Sequence, residues 1–167
     1  AGFDGVQIHC AHGYLLSQFI SPIFNHRIDE YGGSCENRFR LVRQVYETVR
    51  QTVGDEYPIW VKLNSTDEVL GGLTIEDFIY MGEKLSKAGI DAIEISGNQW
   101  KKHLPEERMY YKKEPEKLAA CIDTPVILTG GLRDKSNLDE ICNNSKIRFF
   151  GFARPFLTNP AFLSLLH

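Results

Sequence analysis

The sequence predicts an α/β fold of the TIM (β/α)8 barrel kind, present as a partial barrel of about five βα units, strands four to eight. Three observations carry that reading. Strand-like and helix-like segments alternate with little between them, the first three strands are polar on one side only, and the last two end in glycine-containing turns. Strands are read at 4–9, 58–64, 91–96, 124–129 and 147–152, and helices at 35–53, 75–88, 114–121, 135–142 and 160–166. Such alternation requires parallel strands joined by helical crossovers.

In the first strand Val6 and Ile8 oppose Gln7 and His9, in the second Ile59, Val61 and Leu63 oppose Trp60, Lys62 and Asn64, and in the third Ile93 and Ile95 oppose Glu94 and Ser96. A sheet covered by helices on both faces would be apolar throughout, whereas a barrel carries polar inward residues near its catalytic end. Between these strands Ser34 can cap a helix carrying Leu41, Val42, Val45 and Val49, and Thr74 with Asp77 forms a capping-box pattern before Phe78, Met81 and Leu85. Gly54 and Gly89 end those helices. The fourth strand runs into Thr129-Gly130-Gly131, where bare backbone can approach a ligand, and the fifth into Phe152-Ala153-Arg154-Pro155, which offers amides and a guanidinium. In a (β/α)8 barrel the turns after strands seven and eight often hold phosphate, so the first strand here is numbered four. Asn159-Pro160 reads as a cap and first-turn proline for the last short helix. The stretches 10–34 and 97–113 read as long loops.

Composition limits the function classes. A chain of 167 residues with net charge −3 and scattered Lys and Arg has no basic footprint for nucleic acid and no polybasic membrane patch. No apolar run approaches the roughly 18 residues of a membrane span. Cys10, Cys35, Cys121 and Cys142 lack CxxC spacing, and with no signal-peptide pattern at Ala1-Gly2-Phe3 they point to free thiols in the cytoplasm. His9-x-x-His12 beside Cys10 lacks the three or four convergent ligands zinc needs, so no metal is expected.

The run Gly2-Phe3-Asp4-Gly5-Val6-Gln7-Ile8-His9-Cys10-Ala11-His12-Gly13-Tyr14-Leu15-Leu16-Ser17-Gln18-Phe19, followed by Asn25-His26-Arg27-Ile28-Asp29-Glu30-Tyr31-Gly32-Gly33-Ser34 and Glu36-Asn37-Arg38, resembles the old yellow enzyme family of NAD(P)H:flavin oxidoreductases. Val61-Lys62-Leu63-Asn64, Ile93-Glu94-Ile95-Ser96-Gly97, Leu128-Thr129-Gly130-Gly131 and Ala153-Arg154-Pro155-Phe156 follow in the family's order. The resemblance implies that residues 1–167 are the C-terminal portion of a single FMN-binding barrel domain. It implies an enzyme in which NADH or NADPH reduces FMN, and hydride passes through flavin N5 to a small α,β-unsaturated carbonyl compound.

By the same resemblance His9 and His12 match the pair that binds the substrate carbonyl oxygen, where negative charge grows during hydride delivery. Tyr14 matches a proton donor to the α-carbon, although the responsible tyrosine differs between branches of the family. Lys62 stands where the family usually has an arginine beside flavin N1 and O2; it brings the charge without the planar fork. Gly130, Gly131 and Arg154 match the FMN phosphate site, and Ala153 stands where glycine is common. Nucleic acid and membrane are not expected partners, and a homo-oligomer is compatible with this reading. The competing expectation is an inactive structural fragment that binds no FMN alone, because five strands cannot close an eight-stranded barrel and leave two bare edges.

Overall fold

The computed structural model describes residues 2–97 and 107–166. Five strands form one parallel sheet in sequence order: β1 (Val6–Cys10), β2 (Ile59–Asn64), β3 (Ala92–Ser96), β4 (Val126–Thr129) and β5 (Phe149–Gly151). Crossover helices α2 (Cys35–Val53), α3 (Ile75–Lys87), α4 (Lys113–Cys121) and α5 (Lys135–Asn144) link successive strands. Each neighbouring pair is parallel and in the order expected from strict βα alternation.

Strand register turns the polar–apolar alternation into two faces. Ile8, Val61, Ile93 and Val126 form one row across four strands, and Cys10, Leu63, Ile95 and Leu128 the next. All eight are buried in the core against the helices. The opposite face carries the row His9, Lys62, Glu94, Ile127 and Phe149. A period of two sends adjacent residues to opposite sides, so the same strands line a core on one side and a polar surface on the other.

The helices form where caps and apolar spacing agree. Ser34 Oγ accepts from the Asn37 amide at 3.2 Å to start α2, whose Phe39, Val42 and Tyr46 point into the core. Thr74 Oγ1 accepts from the Asp77 amide at 3.2 Å to start α3. The reciprocal half of a capping box is absent there, because Asp77 instead pairs with Arg38 at 2.8 Å. At the end of α3 the Ile90 amide donates to Leu85 O and the Gly89 amide to Ser86 O, with Gly89 at φ 85°. That pair of bonds is the Schellman termination, and the left-handed residue favours glycine. Phe78, fully buried on α3, contributes about 1.5–3 kcal/mol by leaving water.

Two short helices interrupt segments expected to be irregular. Helix α1 (Leu15–Ile20) lies inside the 10–34 stretch, fastened by Ser17 Oγ donating to Tyr14 O at 2.8 Å and Gln18 Nε2 to Gly13 O at 2.6 Å. Helix α6 (Arg154–Thr158) follows β5 directly. The expected helix at 160–166 is a 3-10 segment at Phe162–Leu166; Asn159 closes α6 and also caps the turn that leads into this segment, its Oδ1 accepting from the Ala161 amide at 3.0 Å. Pro160 sits in the intervening turn. With α6 opening at Arg154, the proline of its first turn is Pro155. Of the expected 97–113 loop, residues 98–106 lie outside the described residues, and Lys113 already belongs to α4.

Among the described residues the sheet does not close. β1 pairs only with β2 and β5 only with β4, with Val6 and Phe149 exposed along these outer strands. No helix among the described residues is long and apolar enough to cross a membrane.

Candidate functional site

The polar face is organised around one carboxylate. Glu94 on β3 accepts from Lys62 Nζ of β2 at 2.8 Å and from Thr129 Oγ1 of β4 at 2.9 Å through Oε1, and from Gln7 Nε2 of β1 at 2.6 Å through Oε2. Burial opposes ionisation of Glu94. The Lys62 and Gln7 hydrogen bonds, the Lys62 charge and the Thr129 bond outweigh it and hold the carboxyl below its usual range. Thr129 can reach because its register partner is Gly151: a Cβ there would lie 2.1 Å from Thr129 Oγ1.

At the C-terminal end of β1 the chain turns through His12 at φ 61° and Gly13 at φ 75°. The left-handed conformation is unusual for histidine. It is held by Asn64 Oδ1, which accepts from the His12 amide at 3.1 Å, while His12 Nε2 and Ser96 Oγ share a hydrogen bond of 2.6 Å. Asn64 and Ser96 are therefore buried with partners on the polar face. The turn brings the His12 ring to 5.3 Å from His9, edge-on, and the Tyr14 ring to 5.2 Å from His9. Tyr14 itself is exposed.

Burial lowers the pKa of His9, and Lys62 lowers it further against the opposing Glu94; His12 is lowered by burial, by Lys62 and by His9. Both shifts favour the neutral ring, with one nitrogen donating and one accepting. Such rings are suited to donate hydrogen bonds to an oxygen and poorly suited to deliver protons. Cys10 beside them is fully buried, and burial pushes its thiol up, so it behaves as core.

A second cluster lies at the other end of the sheet. Gly130 and Gly131 turn at φ 110° and 70°, and with Thr129, Ala153 and Arg154 they line a pocket of about 70 Å³. Ala153 is the N-cap of α6 with φ −129° and ψ −70°, outside the left-handed region that favours glycine. Residues 108–111 lie over the turn: the Met109 amide donates to Gly131 O at 3.2 Å, and Arg154 Nη2 donates to Tyr110 Oη at 2.5 Å. A Cβ on Gly130 would lie 2.6 Å from the Tyr110 ring, and one on Gly131 2.5 Å from the Met109 nitrogen.

The structure thus brings His9, His12 and Tyr14 into one cluster, puts Lys62 in the row of His9, and gathers Gly130, Gly131, Ala153 and Arg154 into another. Gln7 and Thr129 as partners of Glu94, and Tyr110 as a wall of the glycine pocket, were not singled out by the sequence. For Gln7 and Glu94 the available signal was their shared strand parity; for Tyr110 there was none, since it lies outside any periodic segment.

Residues 1–167 match the profile of the NADH:flavin oxidoreductase / NADH oxidase family. The chain is 35% identical over 163 residues to the NADPH dehydrogenase of Bacillus subtilis, covering 97% of this chain and 48% of that enzyme. Among solved structures it superposes on an old yellow enzyme homologue from Zymomonas mobilis with a TM-score of 0.76 at 30% identity, covering 98% of this chain and 46% of the other. On a 2-naphthoyl-CoA reductase in complex with 2-naphthoyl-CoA the TM-score is 0.88 at 28% identity, covering 95% of this chain and 25% of that one. The five-stranded parallel sheet is therefore part of a TIM barrel, and the chain spans about half the length of the curated relatives it matches. With the family's signature spread over the whole chain, the protein belongs to the NADH:flavin oxidoreductase / NADH oxidase family, the old yellow enzymes.

Proposed function

We propose that the whole protein is an FMN-dependent NAD(P)H oxidoreductase that reduces the alkene of small α,β-unsaturated carbonyl compounds, and that this chain is the C-terminal portion of its barrel. The observation that carries the reading is the His9–His12 pair, rings 5.3 Å apart at the end of β1, with His9 in register with Lys62. FMN, held by these residues, would supply the hydride chemistry between NADH or NADPH and the β-carbon of the alkene.

The donor set fits that cofactor. Arg154 and the Gly130–Gly131 backbone suit a dianionic phosphate, and Lys62 on the polar face suits the electron-rich edge of a reduced flavin ring. His9 and His12 would donate to the carbonyl oxygen as it gains negative charge, a contribution worth roughly 10²–10³ in rate for one such donor. The Asn64 and Ser96 bonds hold His12 in place before substrate arrives. Tyr14, exposed beside His9, would hand a proton to the α-carbon.

The test is optical. The whole protein should bind FMN with one equivalent retained on desalting, and its absorbance should bleach under NADH or NADPH without oxygen and return on adding an enone. A preparation that retains no FMN, or whose flavin the nicotinamides do not bleach, overturns the proposal.

The open sheet favours a second reading for the chain taken alone. With outer strands β1 and β5 each paired on one side only among the described residues, the isolated chain should self-associate and bind no FMN on its own. Sedimentation that finds a monomer carrying stoichiometric FMN would refute it.

A further inference from the structure

Glu94 lies on the polar face among the residues just assigned to FMN and substrate, yet none of those assignments uses it. Its carboxylate gathers donors from three other strands, Gln7 of β1, Lys62 of β2 and Thr129 of β4. Both members of the ion pair are largely shielded, with 20% of the Lys62 side chain and 14% of the Glu94 side chain exposed. A surface lysine would sample many rotamers and keep its full charge in water. Here the ammonium is fixed at 2.8 Å from an anion, on a floor where solvent screens poorly.

We propose that Glu94 is a positioning and charge-balancing residue for the flavin site: it fixes Lys62 Nζ and cancels part of its positive field, setting the flavin reduction potential lower than Lys62 alone would. The inference rests on the proposed FMN site. A lone cation beside the ring favours the electron-rich reduced form, and an adjoining anion subtracts from that preference. Thr129 extends the same network to the wall of the glycine pocket, so the carboxylate also links the two clusters.

Glu94→Gln separates charge from shape. The glutamine carbonyl can still accept from Lys62 and Thr129, and its amide group can donate to Gln7 once that side chain turns over. In the whole FMN-loaded protein, E94Q should shift the reduced-to-oxidised equilibrium at least tenfold toward reduced flavin, about 30 mV for a two-electron couple. K62M should shift it the other way, and the K62M/E94Q double variant should return to within about threefold of the unsubstituted protein. A loss of packing would not produce opposite shifts that cancel.

In the FMN-free protein, proton NMR titration should find the His9 and His12 midpoints lower in E94Q and higher in K62M. Glu94 raises and Lys62 lowers both rings, with each other and Tyr14 as their remaining titratable neighbours. If E94Q does not fold, the K62M shift and its reversal in the double variant decide the matter. E94Q with an unchanged or lowered potential overturns the proposal while the FMN reading stands. Histidine midpoints that move as stated in a protein retaining no FMN would uphold the charge pair but overturn both the flavin reading and the role given to Glu94.

Discussion

The two ends of the sheet build their sites from different materials. The β1–β3 end works with side chains: His9, Lys62 and Glu94 share a register row, and Asn64 and Ser96 come from the next to hold His12. The β4–β5 end works mainly with backbone, two left-handed glycines and the start of a five-residue helix, with Arg133 and Arg154 among the lining residues. Side-chain sites fail when a functional group is removed; backbone sites fail when a group is added. That contrast tells which substitutions should damage chemistry and which should damage cofactor retention.

The largest effect should come from deleting a donor at the side-chain end. His12→Ala in the whole protein should lower kcat for enone reduction by about 10²–10³. FMN retention and its bleaching rate by nicotinamide should change little, because His12 bonds Asn64 and Ser96 and not the glycine pocket. Stopped-flow measurement of the two half-reactions separates these outcomes. A His12→Ala protein that reduces enones normally would remove the histidine pair from the reaction.

At the backbone end the damaging change is an addition. Gly131→Ala puts a methyl at φ 70° within 2.5 Å of the Met109 nitrogen, and Gly130→Ala one at φ 110° within 2.6 Å of the Tyr110 ring. Holding a non-glycine residue in such a conformation costs about 1–3 kcal/mol. The expected result is FMN affinity weakened about tenfold or more by fluorescence titration, with the His12-dependent oxidative half-reaction preserved in whatever fraction holds flavin. Equal damage to both half-reactions would mean that the two ends do not act separately.

The same contrast explains what the sequence disclosed. Parity needs only a period of two, so the inward set of Gln7, His9, Lys62, Asn64, Glu94 and Ser96 was readable, as were α2 and α3 with Ser34, Thr74, Gly54 and Gly89 at their ends. The pairing of Lys62 with Glu94 was not, because it depends on the register between strands, which tertiary packing fixes. Helices α1 and α6 span six and five residues, too few turns to establish a 3.6-residue period. The contact of Tyr110 with Arg154 closes 44 positions of chain and leaves no local mark.

A smaller effect on the side-chain end follows from pH. Burial and the Lys62 charge hold His9 and His12 below the ordinary histidine pKa of about 6.5, so the folded state binds fewer protons than the unfolded state just below that pH. Above the unfolded value the histidines contribute no pH slope. As pH falls from about 6.5 through the folded values, protonation favours the unfolded chain and stability declines. The urea midpoint of the whole protein should therefore drop between pH 7 and pH 5, and the drop should shrink in a His9→Gln/His12→Gln variant. An identical slope in that variant would assign the acid sensitivity elsewhere.

The smallest change is expected at Ala153, at the start of α6 on the backbone end. By the sequence resemblance Ala153 stands at a position of common glycine, yet its φ of −129° lies outside the left-handed region that would call for one. If the pocket takes phosphate through backbone amides, the Ala153 amide serves as a glycine amide would, and the methyl matters only if it stands in the phosphate's path. Ala153→Gly should then change FMN affinity by less than about threefold, since it removes no donor and frees no left-handed position. A gain of tenfold or more would mean that the methyl narrows the pocket and that glycine at this position is selected for space; the backbone end would then be limited by the same crowding that Gly130 and Gly131 avoid.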